Sequence, residues 1–520
     1  MTSSTAPLST VTSSSMTQAM PHIFPTVLHM LAAAGDAAPE RVALRCGDEQ
    51  LTYREYISCV AGFADVLGDE VRGGRVALIV PNSIDAAVAT FAILAAGAQV
   101  VPLNPAYTAH ELRSVLADAE PSAIVCDSTL KDLIGPLAAK LGIGRTIVVD
   151  AGSRLTRWAS RHLSLPAFPE AHALAILQYT GGTTGRSKGV NLTHRAVSTN
   201  VAQREALLPS GADEKILIVT PTYHSYAIAM GLLLAPYCRG TLSILPRYRP
   251  EDTLRTIEAH GITLFAGSPT LFVGLMAHEA FATTNFTSLR LCFSGASALP
   301  METMRRWETA TRCTICEGYG QSESGPVLTF NPRDGIRKQG SVGVPVPLTD
   351  VQIVDTETGT RLLRPNEPGE IRARGPQIMS GYRNRPEETA AALRDGWLHT
   401  GDIGAIDQDG YLFILDRKKD MAIVGGFNVY PREVEEALCT HPAVAEAAVI
   451  GVPDSYRGEV LIGYVVLRQP EASEPDALTN YLAERLTRYK IPHDIRICAA
   501  LPKTTVGKID KVALKAAYRS

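Results

Sequence analysis

The sequence predicts an α/β protein with a large N-terminal domain of layered α/β subdomains plus a small β-barrel, and a small α+β C-terminal domain. Short β-branched runs alternate with stretches of helical periodicity over the first part of the chain, which favours largely parallel sheets. From about residue 338 the pattern changes to short strands separated by Gly, Pro and Asp. With 520 residues, the chain is also too long for one ordinary hydrophobic core.

Apolar, β-branched runs predict six strands in the N-terminal part, at residues 76–80, 123–126, 146–149, 216–219, 242–245 and 263–265. Helical periodicity predicts helices over residues 109–119 and 250–260. The longest apolar stretch, residues 86–103, is interrupted by Gly97 and Gln99. It therefore predicts a buried helix followed by a strand, and no transmembrane segment.

The last third of the chain predicts two smaller units. Residues 338–415 are typical of a small β-barrel or an antiparallel subdomain. After Asp416 the pattern predicts a compact α+β unit, with a helix over 431–439, strands over 444–450 and 461–467, and a helix over 474–487.

Composition narrows the function classes. The chain is 45% hydrophobic with a net charge of −3 and no basic stripe, so we expect a globular enzyme with no nucleic-acid partner. Nine scattered cysteines are typical of reduced thiols, and the pair Cys313 and Cys316 lacks the second ligand pair of a zinc site. Residues 1–20 carry no charged side chain, so we expect a disordered tail rather than a signal peptide, and a cytoplasmic location.

The most informative segment is residues 177–189, Leu-Gln-Tyr-Thr-Gly-Gly-Thr-Thr-Gly-Arg-Ser-Lys-Gly. Glycines let backbone N–H groups turn towards an anion, hydroxyl groups add donors, and Lys188 supplies a positive charge. This chemistry suits a polyphosphate. The segment is not a Walker A loop, because Lys188 lacks the preceding glycine and the following Ser or Thr.

This segment resembles the phosphate-binding signature of the adenylate-forming superfamily, which includes acyl-CoA synthetases, the adenylation domains of peptide synthetases and luciferases. Further motifs follow in the family's order: Glu-Gly-Tyr-Gly-Gln-Ser-Glu at 317–323, Gly-Trp-Leu-His-Thr-Gly-Asp at 396–402, Asp-Arg-Lys-Lys-Asp at 416–420, Gly-Gly-Phe-Asn-Val-Tyr-Pro at 425–431, and Leu-Pro-Lys-Thr-Thr-Val-Gly-Lys at 501–508. The family's N-terminal pattern at 51–55, 81–82 and 102–105 extends the resemblance to nearly the whole chain. Within the superfamily, the chain looks most like bacterial fatty acyl-CoA ligases.

The resemblance implies an N-terminal AMP-binding domain over residues 21–416 and a mobile C-terminal domain over 417–520. The two would be joined by a hinge at 416–420, with Lys419 at its pivot. ATP, Mg²⁺ and coenzyme A would be the cofactors.

The resemblance also implies which residues bind the nucleotide. The phosphates would be cradled by Thr180, Gly181, Gly182, Thr183, Thr184, Ser187 and Lys188. Glu323 would hold Mg²⁺, and Ser322, where most relatives have threonine, would offer its hydroxyl to the α-phosphate. Adenine would lie on Tyr319, within the motif that also holds Gly320 and Gln321. The other side of the adenine would be lined by Gly295, Ala296 and Ser297.

Further residues are implied for the ribose, the reaction centre and coenzyme A. Asp402 would accept hydrogen bonds from both ribose hydroxyls, with Arg417 beside it. Lys508 would be the catalytic lysine of adenylation, since a long ammonium side chain can reach both the carboxylate and the α-phosphate. Gly425 and Gly426 would let the backbone pass close to the pantetheine arm of coenzyme A, although a tight turn would also use glycine.

An acyl pocket is implied next to the nucleotide site. His224 would lie beside the acyl carboxylate, and a buried structural histidine is the competing interpretation. The pocket would be lined by Tyr223, Tyr226, Met230, Ser268, Phe272, Gly318 and Val327. The segment 223–230 contains no acidic residue, whereas amino-acid-activating domains place an aspartate there, so we expect an acid with an uncharged tail.

We therefore expect an ATP-dependent carboxylic acid–CoA ligase, with a medium- or long-chain fatty acid as its substrate. An aryl or alicyclic acid is the alternative substrate. Two other functions stay open at this point: an adenylating enzyme that loads an acyl carrier protein, and a non-enzymatic nucleotide-binding scaffold. The oligomeric state also stays open, with a homodimer as one alternative.

Overall fold

The computed structural model describes residues 20–149, 164–180, 187–295, 297, 299–424, 427–454, 456–469, 472–504 and 508–519. Over these residues the chain forms a mixed α/β fold with a large N-terminal domain and a smaller C-terminal domain, which confirms the predicted fold class. The predicted disordered tail, apart from its last residue, lies outside the described residues.

The α-helices of the described residues are distributed along both domains. They are α1 (Val27–Ala37), α2 (Tyr53–Leu67), α3 (Ile84–Ala95), α4 (Ala109–Ala119), α5 (Lys131–Lys140), α6 (His194–Leu207), α7 (Ser225–Ala227), α8 (Leu234–Cys238), α9 (Pro250–Ala259), α10 (Pro269–Ala277), α11 (Met301–Thr311), α12 (Pro386–Ala392), α13 (Pro431–Cys439), α14 (Pro475–Ala483) and α15 (Lys511–Arg519). The sequence predicts α4 and α13 with their observed bounds. α4 begins at a capping box, in which Thr108 and Glu111 satisfy each other's backbone N–H groups.

The strands are short, as the β-branched runs predict. They are β1 (Val42–Cys46), β2 (Glu49–Thr52), β3 (Arg75–Ile79), β4 (Gln99–Pro102), β5 (Ala123–Asp127), β6 (Thr146–Val149), β7 (Leu174–Thr180), β8 (Lys188–Thr193), β9 (Lys215–Ile218), β10 (Thr241–Ile244), β11 (Leu264–Gly267), β12 (Leu291–Ser294), β13 (Thr314–Tyr319), β14 (Thr329–Phe330), β15 (Val344–Pro345), β16 (Asp350–Val354), β17 (Gly369–Arg374), β18 (Gly381–Tyr382), β19 (Leu393–Arg394), β20 (Trp397–Ile406), β21 (Leu412–Arg417), β22 (Ala422–Val424), β23 (Phe427–Val429), β24 (Val444–Asp454), β25 (Gly458–Leu467) and β26 (Asp494–Ile497).

Two large sheets carry the N-terminal domain. The first has the order β15-β14-β13-β12-β11-β9-β10-β1-β2, and the second has the order β18-β8-β7-β4-β3-β5-β6. Both are parallel through their centres and antiparallel at one or both edges. The predicted α/β layers are therefore confirmed. Parallel strands bring their carboxyl ends to one edge of a sheet, where ligand sites of open α/β sheets form.

The long apolar stretch forms α3 followed by β4, which is the predicted buried helix and strand. Nearly every side chain of α3 is buried, because this helix packs between other elements on all sides. Among the described residues, no helix is both long and apolar enough to cross a membrane.

The region predicted as a β-barrel or antiparallel subdomain forms a five-stranded antiparallel sheet. Its order is β16-β17-β20-β19, and β21 pairs with the second half of β20. The described residues thus show the antiparallel alternative: β19 and β21 share the same neighbour, and no pairing joins them to β16 to close a barrel.

The C-terminal domain is the predicted compact α+β unit. Its sheet has the order β23-β22-β25-β24, with β26 parallel to β25. Helices α13 and α14 bury apolar side chains on one face of this sheet, and α15 packs on the other face through Leu514. The helix predicted over residues 474–487 is shorter than expected, since α14 ends at Ala483.

Candidate active site

The phosphate-binding segment lies at the junction of β7 and β8. Thr180 ends β7 and pairs with Lys188, the first residue of β8, and the Ser187 hydroxyl donates a hydrogen bond of 2.5 Å to the Thr180 carbonyl. These three residues therefore lie together, as predicted. Residues 181–186 lie outside the described residues, so the predictions for Gly181, Gly182, Thr183 and Thr184 are not tested.

Glu323 lies on a short 3-10 turn directly after β13. Its carboxylate accepts a hydrogen bond of 2.8 Å from the Tyr382 hydroxyl, and the Lys188 ammonium lies 5.0 Å from the centre of the Tyr382 ring. Burial raises the pKa of Glu323, while the Tyr382 hydrogen bond and the Lys188 charge oppose that shift. Tyr382 thus connects the predicted phosphate lysine to the predicted magnesium ligand.

Among the described residues, no group of three or more His, Cys, Asp or Glu side chains could enclose a metal ion. Mg²⁺ bound with a nucleotide commonly uses only one or two protein carboxylates together with phosphate oxygens. The Glu323 carboxylate lies next to the phosphate segment and can supply one oxygen ligand, so the residues present fit a nucleotide-bound Mg²⁺ ion.

Tyr319, Asp402 and Arg417 form a second cluster, across β13, β20 and β21. The Tyr319 hydroxyl donates to Asp402 Oδ2 at 2.6 Å, and Arg417 Nε lies 3.7 Å from Asp402 Oδ1. Asp402 and Arg417 face each other as paired residues of β20 and β21. Burial raises the pKa of Asp402, and the Arg417 charge and the Tyr319 hydrogen bond oppose that rise. The structure therefore brings together the residues predicted for adenine and ribose.

Lys508 of the C-terminal domain reaches this cluster. Burial is the largest cause that lowers the pKa of Lys508 to about 8, the Arg417 charge lowers it further, and the Asp402 charge opposes both. The Lys508 backbone is held by Thr504, which exchanges hydrogen bonds with it at 2.7 and 3.2 Å. Lys503, in the same motif, instead forms a 2.7 Å ion pair with Glu446 inside its own domain.

His224 directly precedes α7 and lies within electrostatic range of Lys508. Burial lowers its pKa to about 4, and the Lys508 charge contributes to the same shift. The imidazole is therefore neutral at neutral pH. Its Nδ1 is buried without a hydrogen-bond partner in the described part of the chain. The two interpretations of His224, as a neighbour of the acyl carboxylate and as a buried structural histidine, both stay predictions.

The residues predicted for the acyl pocket separate into two groups. Tyr226, Met230 and Val327 belong to one hydrophobic core on one face of the nine-stranded sheet. The ring of Tyr226 lies directly against Gly295, where an added methyl group would be 2.9 Å from it. Tyr223 lies nearby, and its carbonyl accepts a 3.0 Å hydrogen bond from Gln178.

Phe272 does not join that group. It packs at 5.6 Å from Phe265 and 4.9 Å from Trp307, measured between ring centres, in a core on the opposite face of the sheet. Ser268 directly precedes α10, the helix that carries Phe272, and its hydroxyl lies 2.9 Å from that of Thr270.

The remaining predicted nucleotide residues surround the end of β13. Ser322 lies 3.3 Å from Ser225, hydroxyl to hydroxyl, and Gln321 donates its backbone N–H to Ser324. Gly320 is required by close packing, because a methyl group there would lie 1.9 Å from the Pro326 carbonyl. Ser297 is exposed, and Ala296 lies outside the described residues.

The predicted hinge is a turn at the end of β21. Asp420 donates its N–H to the Arg417 carbonyl at 2.9 Å, and Lys419 is the third residue of this turn. Asp416 accepts from the backbone N–H of Arg432, at the start of α13, at 3.0 Å. Gly425 and Gly426, predicted to line the coenzyme A channel, lie outside the described residues.

Sequence reasoning missed Tyr382, which contacts Glu323 from a strand far along the chain. β18 pairs with β8, and this pairing carries Tyr382 to the phosphate segment. The two-residue strand has no periodic pattern, so no sequence signal would have revealed it.

Comparison with known proteins agrees with the geometry. Residues 31–383 match the model of the AMP-binding enzyme family, and residues 433–508 match that of the AMP-binding enzyme C-terminal domain. A long-chain-fatty-acid–CoA ligase of Bacillus subtilis is 38% identical over 94% of this chain and 95% of its own length. A feruloyl-CoA synthase of Amycolatopsis is 36% identical over 91% of this chain and 95% of its own length.

The fold matches that of a solved relative. The ATP-bound MatB of Rhodopseudomonas palustris superposes with a TM-score of 0.89 at 32% identity, covering 95% of this chain and 99% of MatB. Both domains, the ordered motifs and the clustered residues are accounted for by one assignment. The chain belongs to the AMP-binding enzyme family.

Proposed function

We propose that this chain uses ATP to activate a carboxylic acid as an acyl-adenylate and then transfers the acyl group to coenzyme A. The chain is an AMP-forming acyl-CoA ligase, in agreement with its curated relatives. The observation that carries the detailed proposal is the convergence of Lys508, Asp402 and His224, which come from both domains.

In the first half-reaction a carboxylate oxygen of the acid attacks the α-phosphorus of ATP, and pyrophosphate leaves. This reaction depends on positioning and on stabilising negative charge. The Lys508 ammonium would lie between the carboxylate and the α-phosphate and stabilise the charge that develops there. Asp402 would hold the ribose, with Arg417 keeping its carboxylate in place.

Neutral His224 would meet the acyl carboxylate as a hydrogen-bond donor without adding a second positive charge beside Lys508. Its lowered pKa supports this role, because it keeps the ring uncharged at neutral pH. Glu323, oriented by Tyr382, would hold Mg²⁺ together with phosphate oxygens. When bound, that ion would neutralise charge on the pyrophosphate leaving group.

In the second half-reaction the thiol of coenzyme A attacks the acyl carbonyl and AMP leaves. The C-terminal domain would rotate about Lys419 between the two steps, so that residues 425–426 replace Lys508 at the site. Small hinge turns of this kind absorb domain rotations through a few backbone dihedrals.

A medium- or long-chain fatty acid is the first candidate substrate, supported by the name of the Bacillus subtilis relative. An aryl acid is the second candidate. It is supported by the feruloyl-CoA synthase relative and by the aromatic rings of Tyr226 and Phe330, which lie directly on Gly295 and Gly318. A cytoplasmic location, a homodimer and a carrier protein as the alternative acyl acceptor stay predictions.

A substrate screen tests the proposal. Acid-dependent exchange of pyrophosphate into ATP measures the first half-reaction, and AMP release that needs coenzyme A measures both. We expect at least one acid from a panel of fatty and aryl acids to support both reactions. Acid-dependent exchange without coenzyme A-dependent AMP release, but with thioester formed on a holo-carrier protein, would instead identify a carrier-loading enzyme.

A further inference from the structure

Arg204, in α6, is a charged side chain inside the core of the N-terminal domain and is only 1% exposed. Its Nη1 donates to the adjacent Glu205. Its Nε and Nη2 are buried without a hydrogen-bond partner among the described residues. Buried N–H donors of a guanidinium cost free energy unless an acceptor satisfies them. The Nε and Nη2 groups of Arg204 therefore each need an acceptor that the described residues do not supply.

The guanidinium lies against the hydrophobic core that holds Tyr226, Met230 and Val327, three of the residues predicted for the acyl pocket. It stacks on the ring of Phe293, with 4.5 Å between the guanidinium carbon and the ring centre. Phe293 precedes Gly295 by two residues, so both face the same side of the sheet, and Phe293 lies roughly 7 Å deeper along the strand direction. Gly295 itself is at the nucleotide end of the pocket.

Aromatic rings lie between Gly295 and Arg204. Phe330 lies on Gly318, where an added methyl group would be 2.6 Å from the ring, and its ring centre lies 6.2 Å from that of Phe293 in an edge-to-face arrangement. The Tyr226 ring lies directly against Gly295. Tyr226, Phe293 and Phe330 therefore pack in one aromatic core between the two glycines and Arg204. If an acyl tail extends inwards through this core, it meets a guanidinium rather than an apolar floor.

The charge of Arg204 is already balanced. Glu205 is its ion-pair partner, and the Glu205 carboxylate is held in turn by the backbone N–H and the hydroxyl of Ser210, at 2.9 and 3.0 Å. An additional anion at the unpaired donors would bring a second negative charge into the same buried space, and buried charges need partners. An uncharged oxygen acceptor satisfies the donors without that cost.

We propose that Arg204 recognises the far end of the acyl group, and that the preferred acid carries an uncharged oxygen, as a hydroxyl, ether or carbonyl group, remote from its carboxylate. This inference rests on the proposed acyl-CoA ligase function and identifies its substrate class. Arg204 is then a specificity-determining residue, and the aromatic core holds the ring or short chain between the two oxygen-bearing ends.

Matched acid pairs test the proposal on the unmodified protein. The pairs differ only in the distal oxygen: 3-phenylpropenoic acid against its para-hydroxy derivative, and octanoic acid against 8-hydroxyoctanoic acid. We expect kcat/KM for coenzyme A-dependent AMP release to be at least about tenfold higher for the oxygen-bearing member of at least one pair, because a site built to donate to an oxygen discriminates against its absence. Equal or reversed preference in both pairs overturns the proposal. If kcat/KM is higher for octanedioic acid than for 8-hydroxyoctanoic acid, the part of the proposal that requires an uncharged distal oxygen is wrong.

Variants then assign the preference to Arg204. The double substitution R204M/E205Q removes the donors without leaving an unpaired carboxylate, and we expect it to lose most of the preference while the KM for ATP stays within about threefold of the unmodified value. R290M/E214Q is the control, since Arg290, whose side chain is 40% exposed, forms a 2.7 Å ion pair with the buried Glu214 at the opposite end of β12. We expect this control to keep the preference. A preference that persists in R204M/E205Q overturns the role of Arg204.

If R204M/E205Q does not fold, as thermal unfolding would report, Arg204→Lys is the second variant. It retains the charge beside Glu205 but lacks the planar set of donors, so the preference should fall by at least about threefold, and an undiminished preference counts against the proposal. The acyl-CoA ligase function is tested separately. If no acid of the panel supports AMP release, that function fails, whereas release without oxygen preference contradicts only the Arg204 inference.

Discussion

Lys508 is the residue on which the proposed chemistry depends most directly. It belongs to the C-terminal domain, yet its charge interacts with those of Asp402 and Arg417 and contributes to the lowered pKa of His224. Burial and the Arg417 charge both disfavour the ammonium form. A negatively charged substrate would relieve this unfavourable environment, and more so as charge grows during adenylation.

Lys508→Ala should lower the rate of acid-dependent pyrophosphate exchange by at least about a hundredfold, the usual scale for losing one preorganised charge stabiliser. Thioester formation from supplied acyl-adenylate should fall far less, because Lys508 leaves the site for that step. Lys503→Ala is the matched control. Lys503 lies in the same motif but forms an ion pair with Glu446, so its removal should leave pyrophosphate exchange nearly unchanged. Equal loss of both half-reactions in Lys508→Ala would contradict the assignment.

The lowered pKa of Lys508 predicts a pH dependence of the same step. The ammonium is the active form and is lost as pH rises through the pKa, which is about 8 in the free protein. The kcat/KM of pyrophosphate exchange should therefore be level below pH 8 and fall above it. Lys508→Arg should remove this alkaline limb, since guanidinium stays charged. A limb that persists unchanged in Lys508→Arg would belong to another group.

Single residues also mark where sequence reasoning ends. The proximity of Tyr319, Asp402 and Arg417 could be predicted, because each lies in a motif whose neighbours constrain it, whereas their roles at the nucleotide stay predictions. Phe272 was predicted beside the acyl group, but α10 carries it to the opposite face of the sheet, where it packs on Trp307. Sequence distance from a strand end does not reveal which face a following helix covers.

At the scale of elements, each strand and helix given bounds from the sequence does form, and most of these bounds are correct to within one or two residues, whereas β24, β25 and α14 differ by three or four. β3 and β9 each begin one residue before the predicted run, and α4 matches it. Two-residue strands such as β18 and β19 could not be predicted, because they lack a period and exist only through their partners. β18 is nevertheless the element that carries Tyr382 to Glu323.

The contact between β13 and β20 carries the next prediction. Tyr319 of β13 donates to Asp402 of β20, so the predicted ribose acceptor is also held by a neighbouring element. Asp402→Ala should raise the Kd for ATP about 10- to 100-fold, because two ribose hydroxyls lose a charged acceptor worth roughly 1.5–3 kcal/mol.

The control for this change is Tyr319→Phe, which removes the same inter-strand hydrogen bond but leaves the Asp402 carboxylate and the aromatic face. It should raise the Kd for ATP by a smaller factor than Asp402→Ala does. If Asp402→Ala bound ATP normally in a calorimetric titration, Asp402 would be a structural residue of β20 and the ribose acceptor would lie elsewhere.

At the scale of the whole molecule, the described arrangement fits the first half-reaction that we propose. Lys508 is at the site, and its motif is tied to its own domain through Lys503 and Glu446. Residues 425–426 belong to the same small domain as Lys508, and we expect them to serve the second half-reaction. One small domain cannot present both segments to one site at once, so a rotation is required. The pivot at Lys419 stays a prediction from the hinge sequence, and the structure adds the turn that contains it.

That turn makes Lys419→Pro the most discriminating variant. Lys419 is its third residue, and no described backbone hydrogen bond is donated by the Lys419 N–H, so proline removes none. Proline fixes φ of residue 419 near −65° and restricts Lys418 before it. We expect pyrophosphate exchange to stay within about tenfold of normal, while thioester formation is largely abolished because the dihedrals that must change are locked. Lys419→Ala, which leaves them free, should retain both activities. Normal thioester formation by Lys419→Pro would place the pivot elsewhere, or show that the two half-reactions share one arrangement of the domains.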